Sequence, residues 1–539
     1  MTRVEATILR ALFCAPLCGV FACRNLLAYD KYQIVSDTGD AGITPVGECV
    51  RNSDCAPLSV PVQLTATSEP EADVEQRTAT ICEKTTKTCV PLLSTDCQRV
   101  SGDYRNDDAI ILGTLFSTSG AQASVNLARE RSAIMAADEI NSAGGIPGGA
   151  TARQLRPLVL VSCDEADLMS AGSHLVDELH VPAIIGPNTS QDTLDLSNKL
   201  TIAAGTLVIS PTAVAASVAD LLDDDLTWQM VPNDMQRVSL MAQAINALEV
   251  QLRATRRTPG VKLALIYRDD ALGQGTRFAL NTLELNGKSL THADNLATHV
   301  RIRPYDPGTL EMLSRASTDE MVAFAPDIIV LVGTAEAVTQ VMVPLEQAWT
   351  APNRPEYVLI ESSKTPELIT AVSGKPALRR RIRGTGTLPD MRSTLVHEAF
   401  VVSYTARYPG ATTDLFGVAS AYDATYAVAD AIAALRGQRI TGRALAPLLR
   451  TLSNGGTEVE LERSQTLTAF RLLSEGMPVT IIGANAPLQW DQRGAVVGGT
   501  VELWCIADLY DKPTYESSGL TLDLATGVTA GQYTQCAPL

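Results

Sequence analysis

The sequence has little of what would indicate a membrane-spanning, zinc-binding or nucleic-acid-binding protein. No apolar run reaches the roughly eighteen residues expected of a membrane-spanning helix. The chain has only five histidines and no Cys-X-X-Cys pair, which disfavours a zinc site. Its net charge of −17 disfavours nucleic acid as a partner, because phosphates bind basic surfaces. We predict a chain with no metal, no cofactor and no nucleic-acid partner.

Motifs of the common enzyme classes are also missing. Gly-X-Ser-X-Gly, the Walker loop and His-Glu-X-X-His do not occur, and LGQGTRF lacks the third glycine of a dinucleotide-binding fingerprint. Asp269 and Asp270 could form an acid/base pair. Aspartates in a turn between a strand and a helix are more simply explained as helix caps. We predict that the chain is not an enzyme.

The N-terminal residues have the layout of a secretory leader. Two arginines precede the apolar run 11–22, which is about half as long as a membrane-spanning helix and ends at Cys23. Val-Phe-Ala-Cys resembles the lipobox of bacterial lipoproteins; an ordinary leader is the alternative. We predict a signal peptide over 1–22, lipidation of Cys23, and a periplasmic or cell-envelope location with the lipid as the only membrane contact. Arg24 favours the outer membrane.

Eight cysteines remain beyond this point, and an even number favours pairing in an oxidising compartment. The disulfide candidates are Cys49, Cys55, Cys82, Cys89, Cys97, Cys163, Cys505 and Cys536. Their connectivity is open. Five of them lie in a cysteine-rich segment, 48–100, in which ATICEKTTKTCVPL is typical of a hairpin and disulfides compensate for a small core. The polar residues 23–47 before it are predicted to form a flexible tether.

From residue 108 onward, apolar runs of strand length alternate with helix-like stretches. The runs are 109–116, 155–164, 181–187, 206–211, 262–270, 326–333 and 356–362. This alternation predicts an α/β fold with parallel sheets, and continuously apolar strands indicate sheets covered on both faces. The strands are too many for one small sheet, and the length of the chain allows two lobes.

Two loops that follow predicted strands carry hydroxyl groups. GPNTS, at 186–190, precedes a helix-like stretch, and PTAVAAS, at 211–217, comes directly after TLVIS, at 206–210. Ligands of such folds bind beyond the carboxyl ends of the strands. Thr189 and Ser190 would offer hydroxyls and free backbone amides to an anion there. Ser190 could instead act only as a helix cap.

The order of the motifs resembles the type I periplasmic binding proteins, specifically the leucine/isoleucine/valine-binding receptors of ABC transporters. The matching segments are LFSTSG, AADEINSAGGI, IIGPNTSQDT, ISPTAVAAS, WQMVPND, IYRDDALGQG, AYDATYAVADAI and LQWDQRG. The resemblance implies two doubly wound lobes, joined by crossing strands, that close on a small ligand. The implied division is 108–233 with 384–487 for lobe 1, 234–383 with 488–508 for lobe 2, and 509–539 as an unmatched C-terminal extension.

The resemblance also implies positions that contact the ligand in lobe 1. In amino-acid receptors of this group, a serine at the position of Ser190, beside Thr189, holds the ligand carboxylate. Backbone groups in the next loop assist, at a small residue that matches Thr212. Val214 stands where the family has a threonine that contacts the ligand's ammonium group.

In lobe 2 the sequence departs further from the family. Leu272 replaces an aromatic residue, and Thr334 and Glu336 lie where a tyrosine is common. The acidic partner of the ammonium falls at Glu361, or the register places Ser362 or Ser363 there. Each lost hydrogen bond to a buried ammonium costs roughly 1–3 kcal/mol. An ordinary α-amino acid is therefore disfavoured, and a less polar carboxylate or an amide fits better.

We predict a solute-binding lipoprotein that captures a small polar or carboxylate-bearing ligand, amino-acid-like or amide-like, for an ABC permease. The alternative is a non-transport interaction or sensor module with the same fold, for example a regulator of cell-wall synthesis. The cysteine-rich segment and the C-terminal extension favour this alternative, since a transport receptor needs neither.

Overall fold

The computed structural model describes residues 49–55, 79–84, 86–120, 123–148, 154–307, 315–411, 413, 415–509 and 512–534. The predicted leader, Cys23, the predicted tether and Cys536 lie outside these ranges. The chain divides into two compact units. The first consists of Met1–Ser94 and Tyr104–Asp107, and the second of Thr95–Asp103 and Asp108–Leu539. Among the described helices, none is both long and apolar enough to cross a membrane.

The first unit contains the predicted hairpin. Strands Thr80–Glu83 and Thr88–Pro91 pair in antiparallel register, next to a short 3-10 helix, Asn52–Cys55. The Asn52 amide donates to the carbonyls of Tyr104 and Asn106 and accepts from the backbone N–H of Cys82. Two disulfides cross-link this unit, Cys49–Cys82 and Cys55–Cys89. The prediction that these four cysteines form disulfides is confirmed, and the structure gives the connectivity that the sequence left open.

The second unit contains a six-stranded sheet with parallel central strands. Its spatial order is Thr227–Gln229, Leu207–Ser210, Ala183–Ile185, Ile110–Phe116, Leu158–Asp164 and Cys97–Ser101. The edge strand Cys97–Ser101 is antiparallel to its neighbour and is joined to it by the disulfide Cys97–Cys163. The predicted cysteine-rich segment, 48–100, therefore contributes to both units.

An eight-stranded mixed sheet forms the other half of the second unit. Its order is Val300–Tyr305, Leu263–Arg268, Ile328–Val332, Glu356–Leu359, Ile382–Leu388, Thr500–Leu509, Lys512–Asp523 and Thr529–Ala530. The first five strands are parallel and the last three antiparallel. The predicted C-terminal extension thus supplies two strands of this sheet. Cys505, in strand Thr500–Leu509, forms a disulfide.

Alternating side chains of the central strands pack against opposite faces of the eight-stranded sheet. Leu263 and Leu265 belong to one buried cluster, and Ala264 and Ile266 to another. Burial of each large apolar side chain contributes about 1.5–3 kcal/mol to the free energy of unfolding. Burial on both faces explains why these strands are apolar throughout, and the predicted α/β class is confirmed.

Helices surround both sheets. In chain order they are Ala123–Ser142, Leu168–Ser173, Ser190–Leu196, Ile202–Ala204, Ala216–Ala219, Asp234–Arg256, Ala271–Ala279, Arg315–Phe324, Val343–Ala348, Pro366–Val372, Pro376–Arg379, Thr394–Arg407, Val418–Ala434, Gly442–Leu449 and Thr466–Glu475.

We refer to each sheet with its packed helices as a lobe. The chain passes between the lobes after strand Thr227–Gln229, after strand Ile382–Leu388, and before strand Thr500–Leu509. The boundary predicted at residue 384 falls inside a strand that pairs with the eight-stranded sheet as far as Leu388. Apolar residues between 488 and 496 pack in the core of the six-stranded lobe.

Candidate functional site

A cavity of about 640 Å³ lies where loops at the carboxyl ends of both sheets face each other. This volume is typical of small-molecule sites, which span roughly 300–1,000 Å³. The predicted residues that line it are Thr189, Ser190, Thr212, Val214, Leu272, Thr334 and Glu361. Ser363 does not line it. Residues far apart in the sequence therefore meet at one place.

The predicted anion loop of the six-stranded lobe holds its hydroxyls in two different ways. Thr189, and not Ser190, caps helix Ser190–Leu196 by accepting from the backbone N–H of Asp192 at 3.1 Å. The Ser190 hydroxyl accepts from the backbone N–H groups of Val214 and Ala215, both at 3.0 Å. Ser190 is therefore more than a cap, because it fixes the next loop and keeps its own O–H to donate.

Thr212 joins the same two loops from the other side. Its hydroxyl donates to the backbone carbonyl of Asn188, and the buried Ser210 hydroxyl donates to Pro187 O at 2.7 Å. Ser210 also accepts from the backbone N–H of Ala213 at 3.0 Å. These bonds order the loop on which Val214 presents an apolar side chain to the cavity.

The eight-stranded lobe presents charges that are already paired. Asp270 caps helix Ala271–Ala279, as the sequence predicted, by accepting from Gly273 N at 3.2 Å. Arg268 forms ion pairs with Asp270 at 2.5 Å and with Glu336 at 3.1 Å. The Thr334 hydroxyl donates to Glu336. Leu272 lies in the first turn of the capped helix, next to this cluster.

Glu361 is buried and bound within the protein. The Thr387 hydroxyl donates to both of its carboxylate oxygens, at 3.0 and 2.9 Å, and the Arg237 guanidinium lies 3.5 Å away. Burial raises the pKa of Glu361, while Lys364 and Arg237 oppose the rise. Ser363 donates to Gly333 O at 2.9 Å and is buried behind the wall. Of the alternative registers, Glu361 and Ser362 reach the cavity.

Arg129 lines the cavity and was not predicted from the sequence. It lies on helix Ala123–Ser142 and is only 7% exposed. Its Nε donates to Phe416 O at 2.8 Å, and its Nη1 donates to the side-chain oxygens of Asn126, at 2.7 Å, and Asn188. Burial lowers its pKa to about 10, so it remains cationic at neutral pH. Arg129 stands next to Glu130 and Arg131 in a helix that mixes apolar and charged residues, so no signal in the sequence singled it out.

Glu165 also faces the cavity and was also missed. It follows directly after strand Leu158–Asp164, at the carboxyl end where ligand contacts are expected. It accepts from the backbone N–H of Asn188 at 3.0 Å. Burial, with Asp192 nearby, raises the pKa of Glu165 to about 8. Its carboxyl group is therefore mostly protonated at neutral pH.

Apolar side chains form much of the remaining wall. They are Val125, Val214, Leu272, Pro307, Ala335, Leu415 and Phe416. A cavity of this kind can enclose the apolar body of a small molecule while a few polar groups fix its orientation.

Comparison with known families agrees with this architecture. Residues 109–458 match the model of a family described as "Periplasmic binding protein". This chain belongs to that family. The predicted resemblance is confirmed over more than half of the chain.

Among curated relatives, this periplasmic binding protein is similar to a protein of Pseudomonas aeruginosa described as "Amino acid binding protein". The two are 27% identical over 326 residues, which cover 56% of this chain and 79% of the relative.

Solved structures of periplasmic binding proteins share the fold. The branched-chain amino acid transporter substrate binding protein LivJ from Streptococcus pneumoniae, solved with isoleucine, is 17% identical with a TM-score of 0.54. The match covers 76% of this chain and 99% of LivJ. An ABC transporter solute binding protein from R. palustris, solved with benzoate, is 13% identical with a TM-score of 0.54, over 80% and 99% of the two chains.

Proposed function

We propose that this protein is an extracytoplasmic solute receptor that captures a small polar or carboxylate-bearing ligand between its lobes. The observation that supports this most is the cavity at the carboxyl ends of both sheets, lined by Ser190 and Thr212 on one side and by Thr334 and Leu272 on the other. A ligand there contacts both lobes at once, so its binding energy favours the closed arrangement. The prediction that the chain is not an enzyme stays a prediction.

The description of the Pseudomonas aeruginosa relative supports an amino-acid-like ligand. The isoleucine and benzoate bound by the two solved structures both carry a carboxylate group, although one has an ammonium group and the other has none. We further propose that the protein delivers its ligand to an ABC permease. We also propose that lipid on Cys23 tethers it to the cell envelope, with the outer membrane favoured over the inner one.

A thermal-shift screen tests the proposal. The oxidised protein is heated with amino acids, amides, short carboxylates and aromatic acids, each in large excess. A ligand at a hundredfold excess over its dissociation constant adds about 2.7 kcal/mol to the free energy of unfolding, which raises the melting temperature by several degrees.

The hit should weaken in Ser190→Ala. This variant leaves the N–H groups of Val214 and Ala215 without their acceptor, and a lost buried bond costs about 1–3 kcal/mol. Ser197→Ala is the matched control, because Ser197 is also buried and hydrogen-bonded, to Thr227, but lies outside the cavity. A flat screen across all classes would contradict the receptor and favour the interaction module.

A further inference from the structure

We propose that the ligand is an organic carboxylate with an apolar body and no α-ammonium group, and that Arg129 binds its carboxylate. This inference rests on the proposed function and names the ligand class of the same cleft. It follows from which donors of Arg129 are used, from the pairing of the other cleft charges, and from the state of the acidic residues.

Arg129 is held so that one end of its guanidinium remains available. Nε donates to Phe416 O, and Nη1 donates to Asn126 and Asn188, which together use three of the five N–H donors. Within the described chain, the N–H groups of Nη2 have no partner. A planar group fixed on one edge and open on the other suits a carboxylate, which accepts charge-assisted hydrogen bonds.

Among the cavity-lining cations that the structure describes, Arg129 alone forms no direct ion pair with a carboxylate, and Glu165 and Glu361 act on its charge only from farther away. Arg268 is paired with Asp270 and Glu336, and Lys364 lies 3.4 Å from Glu502. A buried cation with only distant counter-charges is costly, and a carboxylate in direct contact with it would reduce that cost. Arg129 is therefore the group in the cleft that gains most from an incoming carboxylate.

The cleft offers less to an ammonium group. Glu361, the position at which the family places an acidic partner, already receives two contacts from Thr387 and faces Arg237. Glu165 is held by Asn188 N and is mostly neutral at pH 7. The side chains of Val214 and Leu272 provide no hydrogen bonds. The other lining carboxylates are Asp192, which accepts from Thr189, Asp270 and Glu336, which are paired with Arg268, and Glu367, which has no ion pair among the described residues. An α-ammonium would therefore find one unpaired carboxylate in the described wall and would lose its hydration without gaining a full set of acceptors.

Calorimetric titration at pH 7 with matched ligands tests the inference. Isocaproate, isocaproamide and leucine share one carbon skeleton, and benzoate and benzamide share another. We expect wild-type protein to prefer each acid over its amide, and isocaproate over leucine. In Arg129→Gln the affinity for the acids should fall by roughly 10- to 150-fold, and the acid-over-amide preference should disappear.

Two further variants serve as controls. Arg131→Gln removes an exposed arginine from the same helix and should leave every affinity unchanged. Arg129→Lys keeps the charge and should retain part of the preference for acids. Should Arg129→Gln fail to fold, as judged by its melting curve, the wild-type acid-over-amide ratio and Arg129→Lys decide the question.

The outcomes separate the two proposals. Binding of leucine in preference to isocaproate, or acid binding that survives in Arg129→Gln, would overturn the inference while the receptor function stands. Failure of every solute in the thermal-shift screen would instead contradict the receptor function itself.

Discussion

Ser190 shows how much a resemblance can say about one residue. The sequence placed its hydroxyl in the loop after a strand, and the structure places it at the cavity, bound to the N–H groups of Val214 and Ala215. The sequence did not reveal that Thr189 performs the capping. Capping depends on which backbone N–H the side chain reaches, and two adjacent hydroxyl residues are equivalent in a sequence pattern.

Arg129 and Glu165 show the limit at the same scale. Neither belongs to a motif, and a charged residue in a helix is usually on the surface. Arg129 is held by Phe416, which is 287 residues away in the sequence, and Glu165 is held by Asn188, which lies beyond the next strand. Such contacts form only when distant segments of the chain fold together, so a sequence pattern does not show them.

Asp430 provides a prediction about stability. It lies on helix Val418–Ala434, fully buried, and neither carboxyl oxygen has a hydrogen-bond partner among the described residues. Burial raises its pKa well above the usual value. The folded chain therefore keeps this proton when the unfolded chain has lost it, and stability falls as the pH rises above about 4.

In Asp430→Asn this contribution should vanish. Denaturant titrations of wild type and variant between pH 4 and pH 8 should show the variant gaining relative stability with pH, by at most about 1.4 kcal/mol per pH unit. Glu398→Gln, on the neighbouring helix Thr394–Arg407, is the control, because an exposed carboxylate is similarly hydrated in both states. A wild-type-to-variant difference independent of pH would contradict the account.

At the level of elements, the central strands were predictable and the C-terminal ones were not. Runs such as 109–116 and 326–333 are apolar throughout because both faces are covered, and they correspond to strands Ile110–Phe116 and Ile328–Val332. Strand Lys512–Asp523 is mostly exposed or half-buried, so its sequence has no continuous apolar run. Its position depends on pairing with Thr500–Leu509.

The disulfide Cys97–Cys163 should stabilise the second unit, which contains the cavity, because it joins the edge strand Cys97–Ser101 to the neighbouring strand. It closes a separation of 66 residues, and restriction of the unfolded chain over such a loop is worth about 4 kcal/mol. Cys97→Ser with Cys163→Ser should lower the free energy of unfolding by this order, as measured by denaturant titration.

The paired change Cys49→Ser with Cys82→Ser is the matched control. This disulfide lies in the first unit, so its loss should leave the denaturant midpoint of the second unit's unfolding transition unchanged. Equal effects of both double variants on that transition would show that the units do not unfold separately.

At the level of the whole molecule, the sequence indicated two lobes because the strands were too many for one sheet. The structure adds where the chain crosses, and it places one charged and one hydroxyl-bearing residue next to those crossings. Arg237 follows the first crossing, Thr387 precedes the second, and both contact Glu361. Helix Asp234–Arg256 and strand Ile382–Leu388, which lie next to these crossings, are therefore linked through Glu361 at the wall of the cavity.

The central claim is that one small solute contacts both lobes, and hydrogen exchange tests it most directly. Wild-type protein is compared with and without the solute that stabilises it most in the thermal-shift screen. The account predicts slower exchange of backbone amides in 187–194 and 211–216 of one lobe and, at the same solute concentration, in 270–276 and 333–340 of the other. Protection confined to one lobe, or no protection in either, would contradict it.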